Sequence, residues 1–366
     1  MTGLYIHIPF CKQKCNYCDF ASFAGKDFLR EDYLEALAKE AARYAGQRCN
    51  TLYVGGGTPS LLTLSQLEKL VTLITKNFSP ISSFSESTFE ANPESLTREK
   101  ISFLSQAGFN RFSVGLQSFH EDELKMLGRV HTVADFVHAF ETLRAHGVKN
   151  INVDLIAGLP GQTLERFLQS LEKLAELTPE HISVYGLQIE EGTPFFERGI
   201  VCDQLVMRRM LEETRARLQV AGYHHYEISN FARPGFESQH NTHYWQYGEY
   251  IGLGSAAASF IGGVRRQNAP DIAEYIRLVQ TGQPTQVFSE ELSGPAREGE
   301  KLVVGLRQLD GVEITPVQAI FFGSEIEKHI RNGLLVRVGK KVKLSEEGLF
   351  LANEVFCSFV APFENV

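Results

Sequence analysis

The chain has 366 residues, of which 43% are hydrophobic and 22% charged, so its composition is that of an ordinary globular protein. The formal net charge is −8 at pH 7 and no long run of Lys or Arg occurs, which argues against nucleic acid as a main partner. The opening sequence MTGLYIHIPF lacks the pattern of a signal peptide, and no apolar run reaches the roughly 18 residues of a membrane span. We therefore expect a cytoplasmic protein without an integral membrane span.

Short β-rich runs alternate with amphipathic runs over about the first 220 residues. The predicted strands cover residues 4–8, 51–55, 85–91, 110–118, 150–158 and 181–189. The predicted helices cover 30–45, 64–78, 97–107, a broken stretch ending at 144, 164–177 and 206–221. Six strand–helix units in succession predict a parallel sheet, and their number favours a partial (β/α)6 TIM-like barrel, an α/β fold, over a full eight-unit barrel.

The pattern changes after this barrel, which we assign to residues 1–222. Residues 223–290 are dense in aromatic residues, His and Gly, and we assign them to a connecting segment. Residues 291–366 predict two helices (295–308 and 315–330), a hairpin over 333–348 with its turn at Gly339–Lys340, and a last helix at about 346–357. This order of elements is typical of a small C-terminal winged-helix-like domain, a topology that by itself does not establish DNA binding.

Three of the six cysteines, Cys11, Cys15 and Cys18, form a C-x3-C-x2-C pattern just after the first predicted strand. Three thiolates in one loop suit an iron–sulfur cluster or zinc. Zinc in a closed tetrahedral site needs a fourth ligand, and the next candidate position holds Phe20. A thioredoxin-like redox pair at Cys15 and Cys18 leaves Cys11 unexplained. Three ligands on a cubane cluster leave one iron open to a small molecule.

Polar and glycine residues stand where the other predicted strands end. The loop Gly55–Pro59, GGGTP, follows the second strand, Glu90 and Gln117 end the third and fourth, and Asp154 lies in the fifth. Ligand sites of parallel α/β folds gather at these strand ends. Polar side chains in apolar strands cost free energy unless they have partners, so an internal polar network is the alternative explanation for each of them.

The segment YIHIPFCKQKCNYCDF, together with the GGGTP loop, resembles the radical-SAM family, specifically the group related to oxygen-independent coproporphyrinogen III oxidase. The resemblance implies that Cys11, Cys15 and Cys18 hold a [4Fe–4S] cluster whose open iron binds S-adenosylmethionine (SAM). In that family an electron from the cluster cleaves SAM to a 5′-deoxyadenosyl radical, and the protein supplies orientation. By the same resemblance, the residues expected to contact SAM are Tyr5, Tyr17, Gly56, Gly57, Thr58, Glu90, Gln117, Arg129 and Asp154.

Two functions fit this framework: the oxidase, which decarboxylates coproporphyrinogen propionates, and the haem-chaperone branch, which passes haem to acceptor proteins. Where the oxidase pattern has a fourth cysteine, this chain has Phe20. The oxidase also carries a long segment before the first strand, and here Tyr5 already lies in that strand. Residues 240–245, HNTHYW, match the H-N-x-x-Y-W motif of the chaperone branch. These features favour a haem chaperone, with the oxidase as the alternative.

His240 is the predicted haem ligand, since imidazole commonly binds haem iron and aromatic rings pack on porphyrin faces. A polar aromatic interface between the barrel and the tail is the alternative explanation for the motif. Further histidine candidates are His224, His225 and His243. Basic residues that would steer haem propionates or a reductant, unless they form a solvated charged face, are Lys12, Lys14, Arg265 and Arg266.

The expected partners are haem-accepting proteins and an electron donor for the cluster. The resemblance leaves open whether SAM is cleaved, so enzymatic activity is an open question, although oxidase activity is not expected. A winged-helix regulator that senses redox state is a third interpretation, which the acidic charge balance disfavours.

Overall fold

The computed structural model describes residues 2–360. Its strands are β1 (Thr2–Ile8), β2 (Phe10–Cys11), β3 (Phe23–Ala24), β4 (Thr51–Gly56), β5 (Glu86–Ala91), β6 (Arg111–Gln117), β7 (Ile151–Ala157), β8 (His181–Gly186), β9 (His224–Glu227), β10 (Asn230–Ala232), β11 (Glu249–Leu253), β12 (Ala258–Ile261), β13 (Val264–Asn268), β14 (Gln286–Glu291), β15 (Val312–Glu313), β16 (Leu335–Val338) and β17 (Lys341–Leu344). Its helices are α1 (Arg30–Ala42), α2 (Leu64–Asn77), α3 (Arg98–Ala107), α4 (Glu121–Met126), α5 (Val133–Ala145), α6 (Leu164–Glu176), α7 (Pro194–Glu197), α8 (Gln204–Val220), α9 (Gln239–Trp245), α10 (Ile272–Gln280), α11 (Gly294–Gly305), α12 (Pro316–Arg331), α13 (Glu346–Phe350) and α14 (Ala352–Cys357).

The six predicted strands are β1, β4, β5, β6, β7 and β8, which lie side by side in this order and pair in parallel. The predicted α/β fold with a partial TIM-like barrel is therefore confirmed. The helices between the strands begin at residues that are typical of helix N-termini. At α2, for example, Thr63 and Gln66 form a reciprocal capping box, and Leu67, Leu70 and Ile74 bury one face of the helix.

Alternation along the strands separates an apolar outer face from a polar inner face. On β1, Leu4, Ile6 and Ile8 belong to the hydrophobic core that the sheet shares with its helices. Tyr5 and His7, which lie between them, point the other way, into the barrel. There the Tyr5 hydroxyl is hydrogen-bonded to His7 Nδ1 (2.8 Å). The interior of the barrel is consequently lined by side chains that need hydrogen-bond partners or a ligand.

Residues 223–290, predicted as a connecting segment, contribute strands to both ends of the same sheet. Strands β10 and β9 extend it antiparallel beyond β8. Strand β11 joins β1 in parallel, and β12, β13 and β14 continue antiparallel from there. The chain crosses from one end of the sheet to the other through α9, which contacts Thr51 and Glu86, the first residues of β4 and β5. Helix α9 therefore closes the amino-terminal end of the barrel.

A buried carboxylate attaches this added part of the sheet to the barrel helices. Glu40 of α1 is 1% exposed and accepts hydrogen bonds from Gly254 N (2.8 Å), Asn268 Nδ2 (2.7 Å) and the Tyr275 hydroxyl (2.7 Å). Burial raises the pKa of the Glu40 carboxyl, and the hydrogen bonds from Tyr275 and Gly254 oppose that rise.

The C-terminal part has a hydrophobic cluster of its own, which includes Leu302, Phe322 and Val342. The predicted hairpin is present as β16 and β17, with Gly339 at φ +60° in its turn, and β15 pairs with β17 to complete a three-stranded sheet. The predicted last helix is divided into α13 and α14. The elements of the predicted winged helix are thus in place, while that assignment and the domain boundaries remain predictions. Among residues 2–360, none of the helices combines the length and apolar character that a bilayer span requires.

Removing the Glu40 carboxylate leaves four buried donors without this acceptor, since the Thr285 hydroxyl also donates to it (3.4 Å). We expect Glu40→Ala to lower the free energy of unfolding by about 3 kcal/mol in urea denaturation followed by circular dichroism. Glu35→Ala, on the exposed face of the same helix, should change it by less than about 0.5 kcal/mol. An equal, small effect at both positions would contradict the role assigned to Glu40.

Candidate cofactor site

A cavity of about 460 Å³ lies at the carboxyl ends of the parallel strands and extends into the barrel. The loops after β1, β4 and β5 form its outer end, and inward-facing strand side chains form its inner end. The predicted cluster and SAM residues that line this cavity are Cys11, Cys15, Tyr17, Cys18, Gly56, Gly57, Thr58, Glu90, Gln117, Arg129 and Asp154.

The three cysteines lie on the loop that begins at β2 and returns to β3. The Thr58 hydroxyl donates to Cys11 Sγ (3.6 Å), and Arg129 Nη1 donates to Cys15 Sγ (3.8 Å). Burial raises the pKa of the Cys18 thiol. Three thiols that face one cavity, two of them with hydrogen-bond donors, fit a cluster held by three cysteines, because donors at sulfur stabilise its negative charge.

The position after the triplet presents an apolar ring to the same cavity. Phe20 lines it and is 65% exposed. Within residues 2–360, no three His, Cys, Asp or Glu side chains are grouped to hold a single metal ion.

The glycine loop brings the backbone close to the cysteine loop. Gly56 has φ +113°, and a Cβ there would lie 2.6 Å from the His7 imidazole. A Cβ on Gly57 would lie 2.8 Å from the Phe10 carbonyl and 3.1 Å from Cys11 Sγ. Any larger residue would therefore separate the two loops, which gives the glycines a physical reason beyond a tight turn.

Glu90 connects the glycine loop to the barrel interior. Its carboxylate accepts hydrogen bonds from Gly56 N (3.1 Å) and from the Tyr53 hydroxyl. Burial and the Asp154 charge raise the pKa of Glu90 to about 7, although the hydrogen bond from Tyr53 opposes the rise. Near neutral pH, this carboxyl can therefore either accept or donate a hydrogen bond.

Arg129 and Asn92 connect the sulfur donors to each other. Arg129 Nη2 donates to Asn92 Oδ1 (2.8 Å) and to the Gly115 carbonyl (2.8 Å), and Asn92 Nδ2 donates to Thr58 Oγ1 (3.2 Å). Asn92 thus joins the side chains that donate to Cys11 and Cys15. Sequence reasoning missed it, although its place just after a strand end was a usable signal.

Gln117 and Asp154 lie where β6 and β7 reach the cavity. Gln117 adopts φ +75° at an irregularity in the β6–β7 pairing, a conformation that costs a non-glycine residue free energy and that is enriched at functional sites. Asp154 accepts a hydrogen bond from Asn152 Nδ2 (2.8 Å), and burial raises its pKa. Burial also raises the pKa of Tyr17, which packs against the apolar cluster of Leu127 and Ile156.

Tyr5 is not among the residues that line this cavity. It lines a second cavity of about 310 Å³ with aromatic residues that include Tyr244, Trp245 and Tyr250. Its hydroxyl is hydrogen-bonded to His7 Nδ1, and its ring packs near the Tyr53 ring, with 6.1 Å between the two ring centroids.

His240 lies at the opposite end of the barrel from the cysteines and is 1% exposed. Its Nδ1 is hydrogen-bonded to Thr51 Oγ1 (2.8 Å) and its Nε2 to the Tyr244 hydroxyl (2.8 Å). Glu86 fixes its helix by accepting from the backbone N–H groups of Gln239 and His240 (both 3.0 Å). Iron ligation by His240 therefore requires one of these ring hydrogen bonds to open.

The other histidine and basic residues predicted to help bind haem lie apart from one another in the structure. His225 stacks on Phe231 at 4.1 Å, and burial lowers its pKa to about 4. His224 lies 3.6 Å from a Glu237 carboxylate oxygen, and His243 Nε2 is bonded to the Glu249 carbonyl (2.7 Å). Of the basic candidates, Lys12 and Lys14 are exposed within the cysteine loop, Arg265 pairs with Glu300, and Arg266 is half-buried on β13.

Known proteins match this chain over most of its length. A model of the Radical SAM superfamily matches residues 5–174. The sequence is 37% identical to the protein named Heme chaperone HemW of Bacillus subtilis, over 98% of this chain and 99% of that protein. It is 40% identical to the protein of the same name of Escherichia coli, over 98% of both. The chain belongs to the HemW family of radical-SAM proteins.

The predicted radical-SAM resemblance is therefore confirmed, and membership implies a [4Fe–4S] cluster and SAM. The structure also resembles coproporphyrinogen III oxidase (HemN) from Escherichia coli, with a TM-score of 0.86 and 24% identity over 98% of this chain and 90% of that one. At this identity the likeness supports a shared fold alone. HemW membership agrees with the sequence evidence from Phe20 and the motif at 240–245.

The raised pKa of Glu90 predicts a specific pH dependence. The folded protein holds this proton more tightly than the unfolded chain, so its contribution to stability is full below pH 4.5 and is lost as the pH rises to about 7. We expect urea unfolding from about pH 5 to about pH 8 to show parent stability falling relative to Glu90→Gln. The exposed Glu68→Gln should follow the parent. Parallel curves for the parent and Glu90→Gln would contradict the assignment.

Proposed function

We propose that this protein is a haem chaperone that binds a [4Fe–4S] cluster, SAM and haem and passes haem to acceptor proteins. The observation that carries this proposal is the similarity to proteins named Heme chaperone HemW over nearly the whole chain, at 37% and 40% identity. The alternative, a coproporphyrinogen III oxidase, has less support because the solved HemN shares only the fold at 24% identity.

We infer that Cys11, Cys15 and Cys18 hold the cluster and that the residues around the same cavity hold SAM. When bound, the cluster supplies an electron and an open coordination position. The Gly56–Gly57 backbone borders the ligand space next to Cys11, with room that only glycine leaves. Glu90, Asp154 and Gln117 offer hydrogen-bonding groups along one wall. Arg129 offsets negative charge near Cys15.

For haem, we place the ligand at the H-N-x-x-Y-W motif. Burial, together with the neighbouring His243 and Arg111, lowers the pKa of His240 to about 3, so its imidazole stays neutral and keeps the lone pair that iron requires. Tyr244, which is bonded to His240 Nε2, also lines the aromatic second cavity of about 310 Å³. Opening the Tyr244 bond would turn the imidazole nitrogen toward a porphyrin bound among these rings.

The proposal includes two kinds of partner, haem-accepting proteins and an electron donor for the cluster. It also places the protein in the cytoplasm, because a reducing compartment keeps the three cluster cysteines available as thiolates.

Replacing all three cysteines of the triplet by alanine should abolish cluster assembly. After anaerobic reconstitution with iron and sulfide, the parent should hold about four iron and four sulfide per chain and the triple variant almost none. Cys49→Ala removes a thiol that lies far in sequence from the three cluster cysteines, and this variant should match the parent. A full iron and sulfide complement in the triple variant would refute the ligand assignment.

Haem binding should respond in opposite directions to two changes in the motif. His240→Ala should weaken haem affinity by about tenfold or more. Tyr244→Phe should strengthen it by about fivefold, because the imidazole no longer has to give up a hydrogen bond. The check is a spectroscopic haem titration, with the exposed His138→Ala as control. Unchanged affinity in His240→Ala would remove the structural basis for haem at this motif.

A further inference from the structure

The inner end of the 460 Å³ cavity contains a buried arginine with few hydrogen-bond partners. Arg111, the first residue of β6, is 2% exposed and lines the cavity. Its Nη1 donates to Thr88 Oγ1 at 3.4 Å, and its Nε is buried with no hydrogen-bond partner among residues 2–360. Removing a guanidinium from water is costly unless its charge and donors are matched. Arg111 therefore carries binding capacity that the protein itself leaves unused.

The acidic groups near Arg111 already accept hydrogen bonds from other residues. Glu90 and Asp154 act on it electrostatically, yet Glu90 is hydrogen-bonded to Tyr53 and Gly56, and Asp154 is hydrogen-bonded by Asn152. Among the residues that the structure describes, no carboxylate lies within 4.0 Å of the Arg111 guanidinium. These two carboxylates would repel a dianion more strongly than a monoanion.

A neutral polar side chain and an aromatic ring border the same space. Asn241 of α9 lines the cavity, and within residues 2–360 its side-chain amide makes no hydrogen bond. Tyr53 of β4 also lines it, and the register of β4, β5 and β6 places Tyr53 at the level of Arg111. Its ring gives this end of the cavity an aromatic wall.

We propose that the inner end of the cavity is a second small-molecule site, which binds the carboxylate of an organic compound other than SAM. The planar guanidinium of Arg111 forms the ion pair, since its donor geometry matches a carboxylate. Asn241 supplies a flanking hydrogen bond. The aromatic wall contacts the body of the ligand.

The position of Arg111 separates this site from the cluster end of the proposed SAM site. Arg111 begins strand β6, and Gln117, six residues later, ends it at the cysteine-loop rim. At about 3.3 Å per residue, their backbones are roughly 20 Å apart along the strand. The inference therefore concerns a molecule that shares the cavity with SAM rather than the amino-acid end of SAM, which the proposed function places at the cluster.

The probe is 3-phenylpropionate, compared with the uncharged 3-phenylpropionamide, in calorimetric titrations of the reconstituted full chain saturated with SAM. We expect the carboxylate to bind with SAM present and the amide to bind about tenfold or more weakly. Arg111→Met should weaken the carboxylate by about tenfold or more and leave SAM affinity within about twofold. The exposed Arg98→Met is the matched control and should bind both molecules like the parent.

Competition between 3-phenylpropionate and SAM, equal losses of both in Arg111→Met, or no binding by the parent would overturn the proposal. Because Arg111→Met removes a buried charge from the barrel, Asn241→Ala provides a second test that leaves this charge in place. It should weaken the carboxylate by about threefold or more without changing SAM affinity, and parent-like carboxylate binding would count against the site.

Discussion

The inward-facing side chains of a single strand, β5, hold both ends of the barrel together. Alternation directs Glu86, Thr88 and Glu90 into the interior, where each carboxylate must find donors. Glu86 accepts from the first N–H groups of α9 and closes the amino end, while Glu90 accepts from Gly56 N and holds the glycine loop at the carboxyl end. The cavity between them follows from this arrangement.

The same arrangement brings the two proposed ligand regions into one chain of contacts. Glu90 accepts from the Tyr53 hydroxyl, and the Tyr53 ring packs 5.2 Å from the His240 imidazole. His240 in turn bonds to Tyr244 on the aromatic second cavity. The cluster end and the motif end are therefore separate sites within one packed interior, which suits a protein that carries one cofactor and hands over another.

Much of this architecture could be predicted from the sequence. The six parallel strands carry strong apolar runs, and the cysteine triplet and GGGTP loop depend on local spacing, so both emerged from the residues alone. Strand β11 could not be found this way, because it is short and pairs with β1 across more than half of the chain. Nor could the sequence show that α9 crosses the barrel, that Tyr5 lines another cavity, or that Arg111 has no carboxylate partner among residues 2–360, since these depend on side chains meeting from distant strands.

The central claim is that the chain carries haem rather than transforming a porphyrinogen. Its most direct test uses the anaerobically reconstituted full chain, loaded with haem and mixed with a haem-free acceptor protein. A parallel sample receives coproporphyrinogen III, SAM and a reductant. We predict that haem moves to the acceptor and that coproporphyrinogen keeps its propionates. Repeated decarboxylation, or failure to retain haem at all, would contradict the account.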